Sequence, residues 1–227
     1  MRKFCMFLTS AVLAFMSLSC SKSDEEVFEE SKGDVNVDAV DLGLSVKWAA
    51  QNVGADSPSE VGTFFSWGET RIAKDRIFSW DEYKWGKENA ITKYCKESEY
   101  GTMDSKGILE KSDDAAYVIW GADWRMPSVE EWEELISECE WEWDEVDGQY
   151  GYMVYGTNGN SIFLPAAGTS DEGNVVELGV VGYYWANSLF SGDSNHANFL
   201  HYRNGKKTLE YKGPRYKGMS VRPVLNK

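Results

Sequence analysis

The residues best suited to acid–base or metal chemistry are few. His196 and His201 are the only imidazoles in the chain. They stand five apart along a stretch that reads as a strand, so their side chains project from opposite faces and share neither a proton nor a ligand. No Gly-X-Ser-X-Gly elbow, phosphate loop or His-Glu-X-X-His pair occurs. Carboxylates are plentiful, which keeps a carboxylate-dependent hydrolase open, but the required separation of about 5–10 Å is not a property of sequence. Glu110, Asp113 and Asp114 offer hard oxygen ligands for calcium, and Asp113 is equally explained as a helix cap. Cys95 and Cys139 match no zinc spacing; a disulfide and two separately buried thiols both remain open.

Aromatic residues carry a stronger signal. The chain has 10 Trp, 12 Tyr and 10 Phe, mostly beyond Val40. Flat indole and phenol faces suit sugar rings, and the same side chains dominate protein-binding hot spots. The candidate ligand-binding residues are Tyr183, Tyr184, Trp185 and Asn187, ahead of the loop Ser188–Asn195, with Tyr211 and Tyr216 in the last loop. The competing reading is that such rings fill the core. Trp124-Arg125-Met126-Pro127 reads structurally, with the Trp packed, the Arg ion-paired and the Pro stiffening entry to a helix. Arg222 likewise reads as half of a buried pair.

Charge and the amino terminus set the context. The chain holds 23 basic and 37 acidic residues, a formal charge of −14. Loss of a leader containing Arg2 and Lys3 leaves 21 against 37, or −16. Such a surface repels phosphate backbones, so no nucleic-acid partner is expected. Residues 1–19 have the basic start, short apolar core and small residues of a signal peptide. The stretch before Cys20 resembles a lipobox, which makes Cys20 the expected lipidation site. Residues 20–37, rich in Asp and Glu, read as a disordered tether, and residues 38–227 as one domain.

The elements that position the candidate residues are legible in part. Asp41–Asn52 reads as a strand pair or a strand with a turn, and Gly62–Gly68 as a short strand. Ile72–Gly107 is loop-rich. Ser112–Trp120 predicts a helix capped by Ser112 or Asp113. Ser128–Cys139 predicts a second, with a Ser128/Glu131 capping box and Trp132, Leu135, Ile136 and Cys139 on one face. Beyond it, Tyr150–Tyr155, Ser161–Leu164, Gly182–Ser188, Ala197–Arg203 and Met219–Val224 read as strands. Turns are expected at Asn158-Gly159, with positive φ angles, and at Asn204-Gly205. This order makes an α+β domain.

Ordered blocks along this domain resemble a known family: Asp41-Leu42-Gly43-Leu44-Ser45-Val46-Lys47-Trp48-Ala49, Phe64-Phe65-Ser66-Trp67-Gly68-Glu69-Thr70, Trp124-Arg125-Met126-Pro127-Ser128, Asn158 through Gly168, Gly182-Tyr183-Tyr184-Trp185 and Ser220-Val221-Arg222-Pro223-Val224. The chain resembles the Fibrobacter succinogenes major paralogous domain, found in Bacteroidetes lipoproteins. The resemblance implies a C-type-lectin-like fold with two helices and a mostly antiparallel, loop-rich sheet in which the termini meet. It also implies kinship with formylglycine-generating enzymes, but Tyr183–Ser188 lacks their reactive cysteine, which argues against that activity. The lectin calcium motifs are absent too. The expected function is therefore a non-enzymatic lipoprotein, anchored in outer-membrane lipid and surface-exposed, that binds an extracellular glycan or protein without a cofactor or metal. A structural or adhesive subunit is the alternative.

Overall fold

The computed structural model describes residues 37–72, 76–121 and 123–227, with the side chains of Glu210 and Tyr211 excepted. Cys20, the leader and nearly all of the acidic tether lie outside the described residues. Strands β1 (Ala39–Asp41) and β2 (Val46–Ala49) come first, then the two-residue strands β3 (Gly86–Lys87) and β4 (Ala90–Ile91). A 3-10 turn at Lys111–Asp113 leads into helix α1 (Ala115–Trp120), strand β5 (Trp124–Arg125) and helix α2 (Val129–Glu138). Strands follow: β6 (Glu140–Val146), β7 (Gln149–Tyr155), β8 (Ser161–Pro165), β9 (Thr169–Asp171), β10 (Asn174–Val176), β11 (Val181–Leu189), β12 (His196–Arg203), β13 (Lys206–Pro214) and β14 (Val224–Asn226).

The protein is α+β, with mostly antiparallel strands in several small sheets. The terminal strands meet in one of them, ordered β1-β2-β14-β5, while β6-β7-β8 and β11-β12-β13 are consecutive meanders. Among the described residues, no helix is long and apolar enough to cross a membrane.

The β11-β12-β13 sheet is covered on both faces, and side-chain alternation sorts its residues between two cores. Tyr184, Ala186, Leu200 and Tyr202 face a cluster with Trp48, Trp132 and Leu164. Trp185, Leu189, Ala197 and Phe199 face another with Phe65, Trp67 and Met126. Gly182 stands opposite Tyr202, where a Cβ would lie 2.1 Å from the ring; only glycine lets that ring close over the strand.

Helix α2 has the expected capping box: Glu131 N–H donates to Ser128 Oγ, and Ser128 N–H donates to Glu131 Oε2. Its apolar face, with Trp132, Leu135, Ile136 and Cys139, packs on the first core. Arg125 forks onto Glu131 through Nη1 at 2.8 Å and Nη2 at 2.5 Å, the ion pair expected of it.

Other expectations are corrected. The first helix is shorter, and Asp114 caps it, because Lys111–Asp113 winds as a 3-10 turn. Gly62–Gly68 and Met219–Val224 are not continuous strands. Gly62 and Gly68 at positive φ bound the first segment, where Phe65 meets Met219 in an isolated bridge, and β14 starts only at Val224. Glu140–Val146 and Lys206–Pro214 are strands that were not anticipated. At Asn158-Gly159 only Gly159 takes positive φ, since residues 156–160 form a five-residue loop rather than a two-residue turn. Cys95 and Cys139 are free, buried thiols in different clusters, so no disulfide joins them.

Arg222 is fully buried and, among the described residues, has no carboxylate partner, contrary to the expected ion pair. Its Nε donates to Asn52 Oδ1 at 2.8 Å, Nη1 to Ala49 O at 2.9 Å and Nη2 to Phe163 O at 2.8 Å. One planar fork thus joins β2, the following loop and β8. Lysine keeps the charge but cannot meet three acceptors in that plane. Arg222→Lys is expected to lower unfolding free energy by about 2–4 kcal/mol, read by urea denaturation. A loss within error would remove the fork from the account of stability.

Candidate binding site at the β6–β7 hairpin

The sequence-named aromatics do not form one site. Tyr184 and Trp185 are fully buried, and this corrects their assignment as ligand contacts. Tyr184 donates to Pro165 O at 2.6 Å and Trp185 Nε1 to Phe65 O at 2.7 Å; both are core residues whose polar atoms are satisfied internally. Tyr183 is half-buried, stacked near Phe199 and hydrogen-bonded to Glu177. Asn187 lines a separate cleft with Arg125 and Asp114. Tyr216 packs against Trp80 at 5.2 Å, and burial, with Asp171 beside it, pushes its hydroxyl up to about 12. Tyr211 lies on β13, its side chain outside the described ones.

The acidic group weighed for calcium is already occupied. Lys93 Nζ lies 2.5 Å from Asp113 Oδ2 and 2.6 Å from Glu110 Oε2, so an ammonium sits between the two carboxylates. Asp114 accepts from the N–H groups of Ala116, Tyr117 and Met126. Burial nevertheless pushes its carboxyl up to about 6. It is a helix cap at the floor of a cleft, with both oxygens committed. Among the described residues, no three His, Cys, Asp or Glu side chains are grouped to hold a metal ion.

Three larger clefts hold charged groups that are engaged within the protein; in one, of about 550 Å³, Asp147 accepts from Ser59 Oγ and Glu60 from the Asp56 N–H. In the cleft of about 500 Å³ beside Asn187, Arg125 is engaged by Glu131 and Asp114 by backbone amides. Another, of about 490 Å³, is lined by Phe64, Phe78 and Arg76. Arg76 is salt-bridged to Glu69, and its remaining nitrogens, Nε and Nη1, are shut away from solvent.

A smaller cleft, about 310 Å³, presents aromatic faces beside exposed polar groups. Trp143, Tyr150, Gly179, Val180, Arg203 and Asn204 line it. The alternation Trp141, Trp143, Glu145 along β6 pairs with Val154, Tyr152 and Tyr150 on β7, placing all six on one face of the hairpin. Nearest the core, Trp141 and Tyr152 pack inward. Towards the hairpin end the same face leaves the core, and Tyr150 is 46 % exposed. The Trp143 and Tyr150 rings are parallel to within 7°, with centroids 6.5 Å apart. That is near the outer end of the roughly 4.5–7 Å over which ring pairs attract, so flat π surface remains for a third partner.

Tyr152 holds both sides of this cleft. Its ring meets Trp143 edge-on at 5.1 Å. Its hydroxyl donates to Arg203 O at 3.2 Å and accepts from Gly205 N–H at 3.0 Å, latching the β12–β13 turn. Trp143 and the Arg203–Asn204 edge are therefore positioned by one buried residue before any ligand arrives. The signal missed in the sequence is the alternation of Trp and Glu over Glu140–Val146, which marks a strand with one aromatic face.

No family model, curated protein or solved structure matches the chain.

Two tests follow from these contacts. Tyr152→Phe keeps the ring and removes the latch; it is expected to cost about 1 kcal/mol and to speed hydrogen exchange at the Gly205 amide. Unchanged exchange there would separate the turn from Tyr152. Burial alone raises the Asp113 carboxyl, but hydrogen bonds from Lys93, Tyr94 and Lys84 overcome it and hold the group below its usual value. A carboxyl depressed by folding stabilises the fold above its unfolded value of about 3.9, and that stabilisation is lost as pH falls through the folded value. Asp113→Asn is expected to cost about 2–3 kcal/mol at neutral pH and to flatten the acid limb of the stability curve below about pH 4. An identical acid limb in the variant would contradict this.

Proposed function

We propose that this protein is a non-enzymatic, lipid-anchored surface protein that binds an extracellular glycan at the Trp143–Tyr150 shelf. The observation that carries the reading is the pair of parallel, partly exposed rings beside the exposed Arg203 and Asn204. A sugar presents polarised C–H bonds on one face and hydroxyls at its rim. The C–H face suits the negative face of an aromatic ring, and the hydroxyls suit planar donors such as guanidinium and amide. A site held in shape beforehand loses little entropy on binding.

Anchoring at Cys20, outer-membrane location and surface exposure belong to the same proposal and rest on the signal-like residues 1–19 and the acidic run after Cys20. So does membership of the paralogous-domain family with a C-type-lectin-like fold. The meeting of β1, β2 and β14 in one sheet supports that reading, as do the two helices and the loop-rich strands. A binder is favoured over a hydrolase because charged groups in the three larger clefts are engaged internally.

One observation favours a second reading. Val175, Val176, Leu178 and Val180 form a run, each between 42 % and 57 % exposed, that borders the cleft through Val180. Exposed apolar runs of this kind mark protein contacts, as an adhesive or assembly subunit requires.

A glycan array probed with the full chain separates the readings. Hits are expected that weaken about five- to tenfold in Tyr150→Ala and in Trp143→Ala, or ~1–1.4 kcal/mol per ring. Tyr216→Ala, remote from the shelf, should leave them intact. Hits indifferent to both shelf variants would overturn the proposal, and a blank array with capture of a surface protein would favour the second reading.

A further inference from the structure

We infer that the glycan taken at the shelf is acidic, carrying carboxylate or sulfate groups; this rests on the proposed sugar-binding role of the same site. Arg203, Lys206 and Lys207 fall within five residues and bracket the Asn204-Gly205 turn, and of the three Arg203 lines the cleft. Arg203 and Lys206 are exposed, and Lys207 lays its ammonium over the Trp141 ring at 5.3 Å. In a chain with 37 acidic against 23 basic residues, cations near a surface are ordinarily neutralised. Elsewhere in this fold many are: Lys84, Lys93, Lys106, Arg125 and Lys217 hold carboxylates, whereas, among the described residues, Lys47, Lys96 and Lys111 stand singly. Among the described residues, Arg203, Lys206 and Lys207 have no such partner.

Their placement works against simple stability. Arg203 and Lys206 are directly opposed across the β12–β13 ladder, where like charges repel. An anion at the turn would relieve that repulsion. Nearby carboxylates are turned to other work: Glu145 accepts from the Tyr150 hydroxyl and raises its pKa, and Glu177 accepts from Tyr183 at 2.5 Å. The negative charge of the whole chain does not cancel the patch, because at physiological salt fields between exposed charges fade over about 8 Å. At contact range the local cations decide what enters. The aromatic shelf would take the ring faces while Arg203 takes the anionic substituent, a charge-assisted bond roughly twice as strong as a neutral one.

The test is calorimetric titration of the full chain with three probes: an oligogalacturonate, its methyl ester, and a sulfated chondroitin oligosaccharide. The acid is expected to bind about tenfold tighter than its ester, and raising the salt should erode that preference. Arg203→Gln should bring the acid-to-ester ratio close to one. If the sulfated probe binds tighter than the oligogalacturonate, sulfate is the preferred anion; the reverse order assigns carboxylate. Equal binding of acid and ester overturns the inference and leaves the shelf as a neutral-sugar site. Acid binding at full strength in Tyr150→Ala shows a bare ionic patch and also overturns it. Failure of all three probes on folded protein would overturn the sugar-binding reading on which it rests.

Discussion

Two buried guanidinium groups set the geometry on which the rest of the fold depends. Arg222 and Arg215 are both fully buried, and both are satisfied by neutral oxygens. Burying a charge is expensive, and the usual remedy is an opposite charge. Here the remedy is a cage of dipoles. Arg222 draws two backbone carbonyls and the Asn52 amide oxygen around one plane. Arg215 draws the carbonyls of Lys93, Tyr94 and Ser194 and the Tyr83 hydroxyl, between the Trp67 and Tyr83 rings. Each fork closes only when strands far apart in sequence are in place. Arg222 joins the terminal sheet to β8, and Arg215 ties the loop-rich segment before the helices to the end of β13.

With those joints fixed, most of the aromatic surplus is drawn inward. Strand β11 sends Tyr184 to one core and Trp185 to the other, and β12 does the same with Tyr202 and Phe199. The hairpin of β6 and β7 behaves differently because it runs past the edge of the core. Trp141 and Tyr152 are packed, Trp143 is partly buried against the same core, and Tyr150 beyond it overhangs. Function at this position would follow from a packing limit: one aromatic face is longer than the core that covers it. Tyr152 joins the core to the cleft, with its ring in the core and its hydroxyl on the Arg203–Gly205 turn.

The sequence was most legible where local chemistry decides the structure. The Ser128/Glu131 box and the spacing of Trp132, Leu135 and Ile136 specify a helix and its buried face without help from elsewhere. The α+β class followed from the order of such segments. The site was less legible, because residue type does not tell a core ring from an exposed one. Tyr184 and Trp185 carry the same sugar-stacking chemistry as Tyr150 and Trp143, and only the two-sided burial of β11 separates them. The ammonium of Lys93 between Glu110 and Asp113 was invisible for a related reason: those residues are joined by tertiary contact, not spacing. Likewise, nothing local announces that Arg222 is held by carbonyls rather than by an acid.

Glycan binding at the Trp143–Tyr150 shelf is tested most directly by mapping amide and indole chemical shifts of the full chain, labelled with nitrogen-15, during titration with an oligogalacturonate. It predicts that the shifts concentrate at the Trp143 indole N–H, Tyr150, Val180 and Arg203–Lys206, with the Tyr184 and Trp185 signals still. Shifts gathered instead around Asn187 and Arg125, or around Phe78 and Arg76, would place the site in one of the other clefts and contradict it.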